Sequence, residues 1–384
     1  VNFDDLDLSR LRARTGEKWR TYGSDVLAAW VADMDFPVAP PLAALLRDTA
    51  ENSDVGYPIN ADAGRLAEIF AERAQRLWNW SVDPGLVRVI TDVVQGLYAG
   101  IHVFSEPGDA VLVQTPIYPP FLSAPPSSGR RLLCADLAAA DGGYAIDFDA
   151  LRALIDERTR ILLFCNPHNP TGRVFTRDEL ERVAQIAIEH DLIVLSDEIH
   201  ADLVYAGHAH VPFASLGPEA NARTITLTSA TKAFNIAGLR CAVAIAGTPE
   251  LYERLGSLPR HLLGGMGSIG LAATRIAWTE CSEWLDSLTN YLQSNRDYVA
   301  SFVANELPGV VHTAPEGTYL AWLDCRALDL ARSPAAHFLE HARVALSDGK
   351  GFGAAGAGFA RINFATSRSM LTEVLERMAK SLVR

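Results

Sequence analysis

The run Ile161-Leu162-Leu163-Phe164-Cys165-Asn166-Pro167-His168-Asn169-Pro170-Thr171-Gly172 opens a unit that recurs through the middle of the chain. Its first five residues are apolar, as in a strand buried on both faces, and the Asn-Pro turns that follow cannot continue it. Thr176, with Glu179 three residues on, forms a capping box that starts a helix. Leu180, Val183, Ala184, Ala187 and Ile188 then recur at helical spacing across Arg177–His190. A second buried run, Leu192–Ser196, completes a strand-helix-strand unit.

The same texture extends outward to Ala110–Val113 on one side and to Thr224–Thr228 and Cys241–Ala246 on the other. Doubly buried strands separated by helices predict an α/β fold with a large, mostly parallel sheet whose ligands sit at the carboxyl ends of its strands. After about residue 265 long helical runs, Ile269–Trp278 and Cys281–Asn305, give way to three short strand candidates, Val310–Thr313, Thr318–Asp324 and Ala360–Phe364. A terminal helix over Ser369–Val383 follows. This pattern predicts a large domain over 45–265 and a smaller α+β domain made of 1–44 and 266–384.

Composition narrows the function. The 384 residues hold 34 Lys+Arg against 46 Asp+Glu, a formal net charge of −12, and 49% are hydrophobic, enough for a sizeable core and too many for a disordered chain. Adjacent basic residues occur only as pairs such as Arg130-Arg131, too few to neutralise a polyphosphate, so nucleic acid is not an expected partner. The five cysteines stand singly, without a Cys-x-x-Cys, as in a reducing compartment. The acidic start, Val1-Asn2-Phe3-Asp4-Asp5, is unlike a signal peptide, and no apolar run approaches the roughly 18 residues of a membrane span. A soluble, cytoplasmic protein without membrane contact is expected.

Three successive strand ends carry the chemistry: an amide at Asn169, a carboxylate at Asp197 and an amine at Lys232, the last within Ser229-Ala230-Thr231-Lys232. Singly, Asn169 is an ordinary turn former, Asp197 an ordinary helix cap and Lys232 an ordinary surface charge. Jointly they supply what a pyridine cofactor requires: a carboxylate for the ring nitrogen, an amide for the ring hydroxyl and a lysine that bonds the aldehyde. Two stretches, Gly265-x-Gly267-x-x-Gly270 and Gly351-x-Gly353-x-x-Gly356, match the dinucleotide fingerprint but lack its strand-turn-helix setting. His208-x-His210 near Asp202 lacks further ligands, and no metal is expected.

On these motifs the sequence resembles the class I/II aminotransferases, pyridoxal 5′-phosphate enzymes of fold type I, over essentially its whole length. The resemblance implies that Lys232 bonds the cofactor, Asp197 pairs with the pyridine nitrogen and Asn169 donates to the ring hydroxyl. It implies that Tyr118 stacks on the ring, with core packing as the alternative. Val93 and Val94, in Thr91-Asp92-Val93-Val94-Gln95, match the phosphate loop, with Asp92 where the family usually has Gly. Ser229 and Arg240 complete the phosphate site, and Tyr57 matches a tyrosine that reaches the neighbouring subunit's phosphate, which implies a homodimer with shared active sites. Arg361 matches the clamp on the amino acid carboxylate, a task suited to a planar guanidinium; a surface ion pair is the alternative.

Two departures from the aminotransferase pattern resemble the cystathionine β-lyase branch. Trp30-Val31-Ala32-Asp33-Met34-Asp35-Phe36, preceded by Lys18-Trp19, replaces Gly-x-Pro-Asp-Phe and places Ala32 at the substrate. Asp197-Glu198-Ile199-His200 carries His200 where many aminotransferases have a tyrosine on the ring hydroxyl. Pro315-Glu316-Gly317-Thr318-Tyr319-Leu320-Ala321-Trp322 fits the same branch, although Trp30 and Trp322 also suit a core. The expected activity is α,β-elimination of L-cystathionine or a related S-substituted cysteine to a thiol, pyruvate and ammonia. An aminotransferase is the alternative reaction, and a regulatory protein that sequesters a transcription activator is the alternative in the binding class.

Overall fold

The computed structural model describes residues 2–140, 143–259, 262 and 264–383. A seven-stranded sheet spans the middle of the chain: β1 (Val87–Ile90), β2 (Ala110–Thr115), β3 (Arg131–Asp136), β4 (Thr159–Cys165), β5 (Ile193–Asp197), β6 (Thr224–Thr228) and β7 (Ala242–Ala246), in the order β1-β7-β6-β5-β4-β2-β3. Strands β3, β2, β4, β5 and β6 pair in parallel. Strand β7 runs antiparallel to both β6 and β1. The connection from β6 to β7 holds only the short turn Ala237–Leu239 where a parallel return needs a crossover helix, so the chain doubles back.

Helices cover both faces. The helix α1 (Val93–Phe104) packs with β2, β4 and β6 in one apolar cluster, and α2 (Arg177–Glu189) packs in another that includes Leu162, Phe164 and Val194. The predicted capping box is present, with Thr176 and Glu179 each bonding the other's backbone. The edge strand β3 was not legible in the sequence because most of its residues are exposed or half-buried.

A four-stranded antiparallel sheet lies in the C-terminal third: β8 (Val311–His312), β9 (Leu320–Asp324), β10 (Ser347–Asp348) and β11 (Phe359–Asn363), ordered β8-β9-β11-β10. The helix α3 (Ser268–Glu280) packs mainly against the helices Pro40–Asn52 and Asn60–Trp78, while α4 (Ser282–Glu306) packs on this sheet through β8 and against the C-terminal α5 (Arg368–Leu382). The N-terminal segment joins this part, since Leu27–Ala28 pairs in parallel with Val344–Ala345 and Ala29 O accepts the Asn363 amide at 2.9 Å. The first Gly-rich stretch runs into α3 with no strand directly before it among the described residues, and the second forms two short turns, Gly349–Phe352 and Ala354–Gly356. Among the described residues no helix is long and apolar enough to cross a membrane.

The turn after β4 meets the loop before β9 at Gly172. Its carbonyl accepts the amides of Glu316 and Gly317 at 2.8 and 3.0 Å, its φ is 74°, and a Cβ there would stand 2.2 Å from Pro315 Cβ. Gly172→Ala is therefore expected to lower stability by about 1–3 kcal/mol through overpacking and left-handed strain. Urea unfolding should show a lower midpoint at unchanged slope.

Candidate active site

Parallel strands bring their carboxyl ends to one edge, and the predicted residues of the large sheet follow those ends. Val93 and Val94 open α1 after β1, Tyr118 follows β2, Asn169 follows β4, and Asp197 ends β5 with His200 just beyond. Ser229 and Lys232 follow β6, and Arg240 precedes the returning β7. Arg361 comes from β11 of the second sheet and Ala32 from the N-terminal segment. Of these, Ala32, Tyr118, Lys232 and Arg361 line a cavity of about 810 Å³, together with Trp30 and Phe352, while Val93, Val94, Asn169, Asp197, His200, Ser229 and Arg240 are not among its lining residues.

At its floor Lys232 Nζ donates to the Ala32 carbonyl at 2.8 Å, and the Tyr319 hydroxyl donates to the same oxygen at 2.8 Å. Burial lowers the pKa of the Lys232 amine, against the opposing pull of the Asp33 carboxylate. Asp197 Oδ1 accepts the Ile199 amide at 3.0 Å, and burial raises the carboxyl pKa to about 7. This acid is thus poised to hold or share a proton near neutral pH. Burial lowers the His200 pKa to about 3, so its imidazole is neutral. Its Nδ1 has no hydrogen-bond partner, and its ring meets Tyr319 edge-on at 6.1 Å.

Arg361 is buried and bonded only to neutral oxygens: Asn169 Oδ1 at 2.9 Å, the Trp30 carbonyl at 3.0 Å and Ser347 Oγ at 3.1 Å. Phe352 packs against the guanidinium with its centroid 4.8 Å away. Burial lowers the Arg361 pKa to about 10, which leaves it charged at neutral pH. Tyr118 is half-buried, and burial raises its phenol pKa.

The corner at the start of α1 is built for an anion and contains one. The first amides of a helix have no acceptor within it, which suits Val93 and Val94 to an oxyanion. Asp92 accepts the Gln95 amide at 2.8 Å as the helix cap and also pairs with Arg240. The Ser229 hydroxyl is engaged inside the chain, donating to the Cys241 carbonyl at 2.5 Å and accepting the Thr231 amide at 3.1 Å. Tyr57 does not line the cavity; it is fully exposed on the loop before the helix Asn60–Trp78, with Val55 and Ile59. His210 Nε2 bonds Glu198 Oε2 at 2.9 Å.

Sequence reasoning did not single out Ser347, Phe352 or Asp33 for this cavity, nor Tyr319 for the Ala32 carbonyl. Ser347 stands opposite Arg361 in the β10–β11 register, a pairing that no local pattern announces. Phe352 lies inside the second Gly-rich stretch, whose glycines drew attention away from the aromatic.

His168, in the Asn-Pro turn, is buried with Nδ1 2.8 Å from Thr171 Oγ1 and Nε2 without a partner. Burial lowers its pKa to about 3. The unfolded chain takes up this proton near 6.5 and the folded one does not, so the stability contributed is full above that value and is lost as pH falls toward 3. His168→Gln removes the titration. The unfolding free energy from urea titrations should fall between about pH 7 and 4 more in the parent than in the variant, by up to roughly 3 kcal/mol.

The family description "Aminotransferase class I and II" matches residues 63–378. A cystathionine β-lyase of Bacillus subtilis is 34% identical over 100% of both chains, and one of Corynebacterium glutamicum is 36% identical over 98% of this chain and 99% of its own. A solved pyridoxal-phosphate-bound carbon-sulfur lyase of Staphylococcus hominis superposes with a TM-score of 0.93 at 30% identity, over 100% of this chain and 99% of its own.

Proposed function

This chain belongs to the aminotransferase class I and II family, and we propose that it is a pyridoxal-phosphate-dependent carbon-sulfur β-lyase acting on L-cystathionine or a related S-substituted cysteine. The observation that carries the reading is that Lys232 and Arg361 line one cavity, with Asn169 bonded to Arg361 and the Asp197 charge acting on Lys232, in a chain whose full-length relatives are carbon-sulfur lyases.

The residues fit the cofactor. Asp197 is a buried carboxyl held by one backbone amide, suited to a pyridine nitrogen that must stay protonated. Asn169 has its oxygen committed to Arg361, which leaves its amide hydrogens for the ring hydroxyl, and His200, with its Nδ1 unpartnered, lies just beyond Asp197 at the end of β5. Val93, Val94 and Arg240 suit the phosphate, with Ser229 positioned to hold the loop beneath it, and Tyr118 suits the ring face. When bound, the cofactor supplies an electron sink for the charge left at Cα.

The chain's own residues do the rest. Arg361, with neutral partners only, has a positive charge free for the substrate carboxylate and fixes the Cα–H bond in direction. Lys232, its basicity lowered by burial, has more of the neutral amine that takes the Cα proton. Departure of the sulfur from Cβ then yields a thiol, and hydrolysis gives pyruvate and ammonia. The amino acid carboxylate meets Arg361 beside Ala32 in this reading.

The same proposal includes a homodimer in the cytoplasm, with Tyr57 completing the partner's phosphate site. The exposed group Val55, Tyr57 and Ile59 supports a covering partner, and the single, unpaired cysteines support a reducing compartment. The division into a large domain over 45–265 and a small one of 1–44 and 266–384 belongs to the same reading.

Purified enzyme given cystathionine should release pyruvate and thiol without added keto acid; strict dependence on a keto acid would make it an aminotransferase. Lys232→Ala should lose the visible absorbance of lysine-bound cofactor, and Arg361→Ala should lower kcat/KM by roughly a hundredfold or more with little change in cofactor retention. Asp92→Asn, which keeps the helix cap and removes a charge from the phosphate corner, should tighten cofactor binding several-fold in equilibrium dialysis.

A further inference from the structure

Every carbonyl from Trp30 to Phe36 accepts a hydrogen bond from a side chain elsewhere in the chain. Trp30 O takes Arg361 and Ser347, Val31 O takes Asn363 at 2.6 Å, and Ala32 O takes Lys232 and Tyr319. Asp33 O takes Lys18 Nζ at 3.0 Å and again Asn363 at 2.6 Å. Met34 O takes Arg14 and Asn235, Asp35 O takes Arg14 at 2.7 Å, and Phe36 O takes Asn235 at 2.8 Å. The carbonyls of Trp30 and Ala32 therefore face the carboxylate clamp and the reacting amine, while those of Val31 and Asp33 are tied back to Asn363.

One ion pair fastens this ribbon from behind. Lys18 and Asp35 are almost fully buried, and Lys18 Nζ stands 3.0 Å from Asp35 Oδ1. Trp19 Nε1 donates to the same carboxylate oxygen at 2.8 Å, and Trp30 Nε1 donates to the Lys18 carbonyl at 3.2 Å. A buried ammonium and carboxylate hold each other firmly, since moving either leaves an uncompensated charge in a poorly polarisable medium. The lysine also grips the ribbon directly through Asp33 O, one residue from the carbonyl that receives Lys232.

We propose that Lys18 and Asp35 are positioning residues, which lock the 30–36 ribbon so that the Ala32 carbonyl aligns Lys232 and the Trp30 carbonyl aligns Arg361. One backbone segment thereby sets both the amine that takes the proton and the cation that orients the bond it comes from. The inference rests on Lys232 and Arg361 having the roles proposed above.

The test compares cofactor-loaded wild-type enzyme with Lys18→Met, Lys18→Arg and Asp35→Asn by two readouts: pyruvate release from an S-substituted cysteine, and hydrogen–deuterium exchange of the peptide covering 30–36 without substrate. Lys18→Met should lower kcat per loaded site at least tenfold with KM changed less than threefold. Its 30–36 peptide should exchange at least tenfold faster while the strands of the large sheet are unchanged. Lys18→Arg, which keeps the charge and the donors, should recover most of both. If Lys18→Met does not fold, Asp35→Asn is judged by the same criteria. Unchanged kcat, a lowered kcat with unchanged exchange in 30–36, or faster exchange throughout the chain would each overturn the proposal. Absence of pyruvate from wild-type enzyme would instead count against the lyase reading, and the exchange comparison would still decide whether the pair locks the ribbon.

Discussion

A buried cation without a buried anion is the constraint around which this molecule is arranged. Arg361 is removed from water, yet its polar contacts are an amide oxygen, a backbone carbonyl and a hydroxyl. Burying a charge so incompletely matched is costly, and the cost is tolerable only because three distant parts of the chain converge to supply those oxygens. Asn169 comes from the large sheet, Ser347 from the small one and Trp30 from the N-terminal segment. The guanidinium thus joins the three parts, and its unmet charge defines the ligand.

The acidic balance of the chain then has a local meaning. Most of its ion pairs lie at the surface, where each contributes little. At the site three buried charged groups are individually placed: Lys232 with weakened basicity, Asp197 with weakened acidity, and Arg361. Burial pushes each toward its neutral form, and a ligand of complementary charge reverses that push. The electrostatics of the site are set by desolvation first and by neighbouring charges second.

Much of this was legible in the sequence, for an identifiable reason. Strands β4, β5 and β6 are buried almost throughout, and Asn169, Asp197 and Lys232 stand at or just past their carboxyl ends, so reading strand ends singled them out. Arg361 and Tyr118 needed the resemblance to known enzymes, because a strand arginine and a turn tyrosine have common structural uses. The antiparallel turn of β7 was missed because an apolar run has no direction. Ser347 and Phe352 were missed because they reach the site through strand register and packing. The ribbon was invisible for a deeper reason: its bonds are made by backbone oxygens, which every residue has.

That last property separates length from identity. A segment held by its side chains tolerates a change of spacing if the anchors can reach, and it fails when an anchor is replaced. The stretch from Trp30 to Phe36 is held the other way round. Many side chains could occupy Val31 without disturbing any of its carbonyl bonds, whereas one inserted or deleted residue would shift every carbonyl away from its donor at once. Among descendants of this protein, variation here should therefore be confined to substitutions, and gaps should fall outside it.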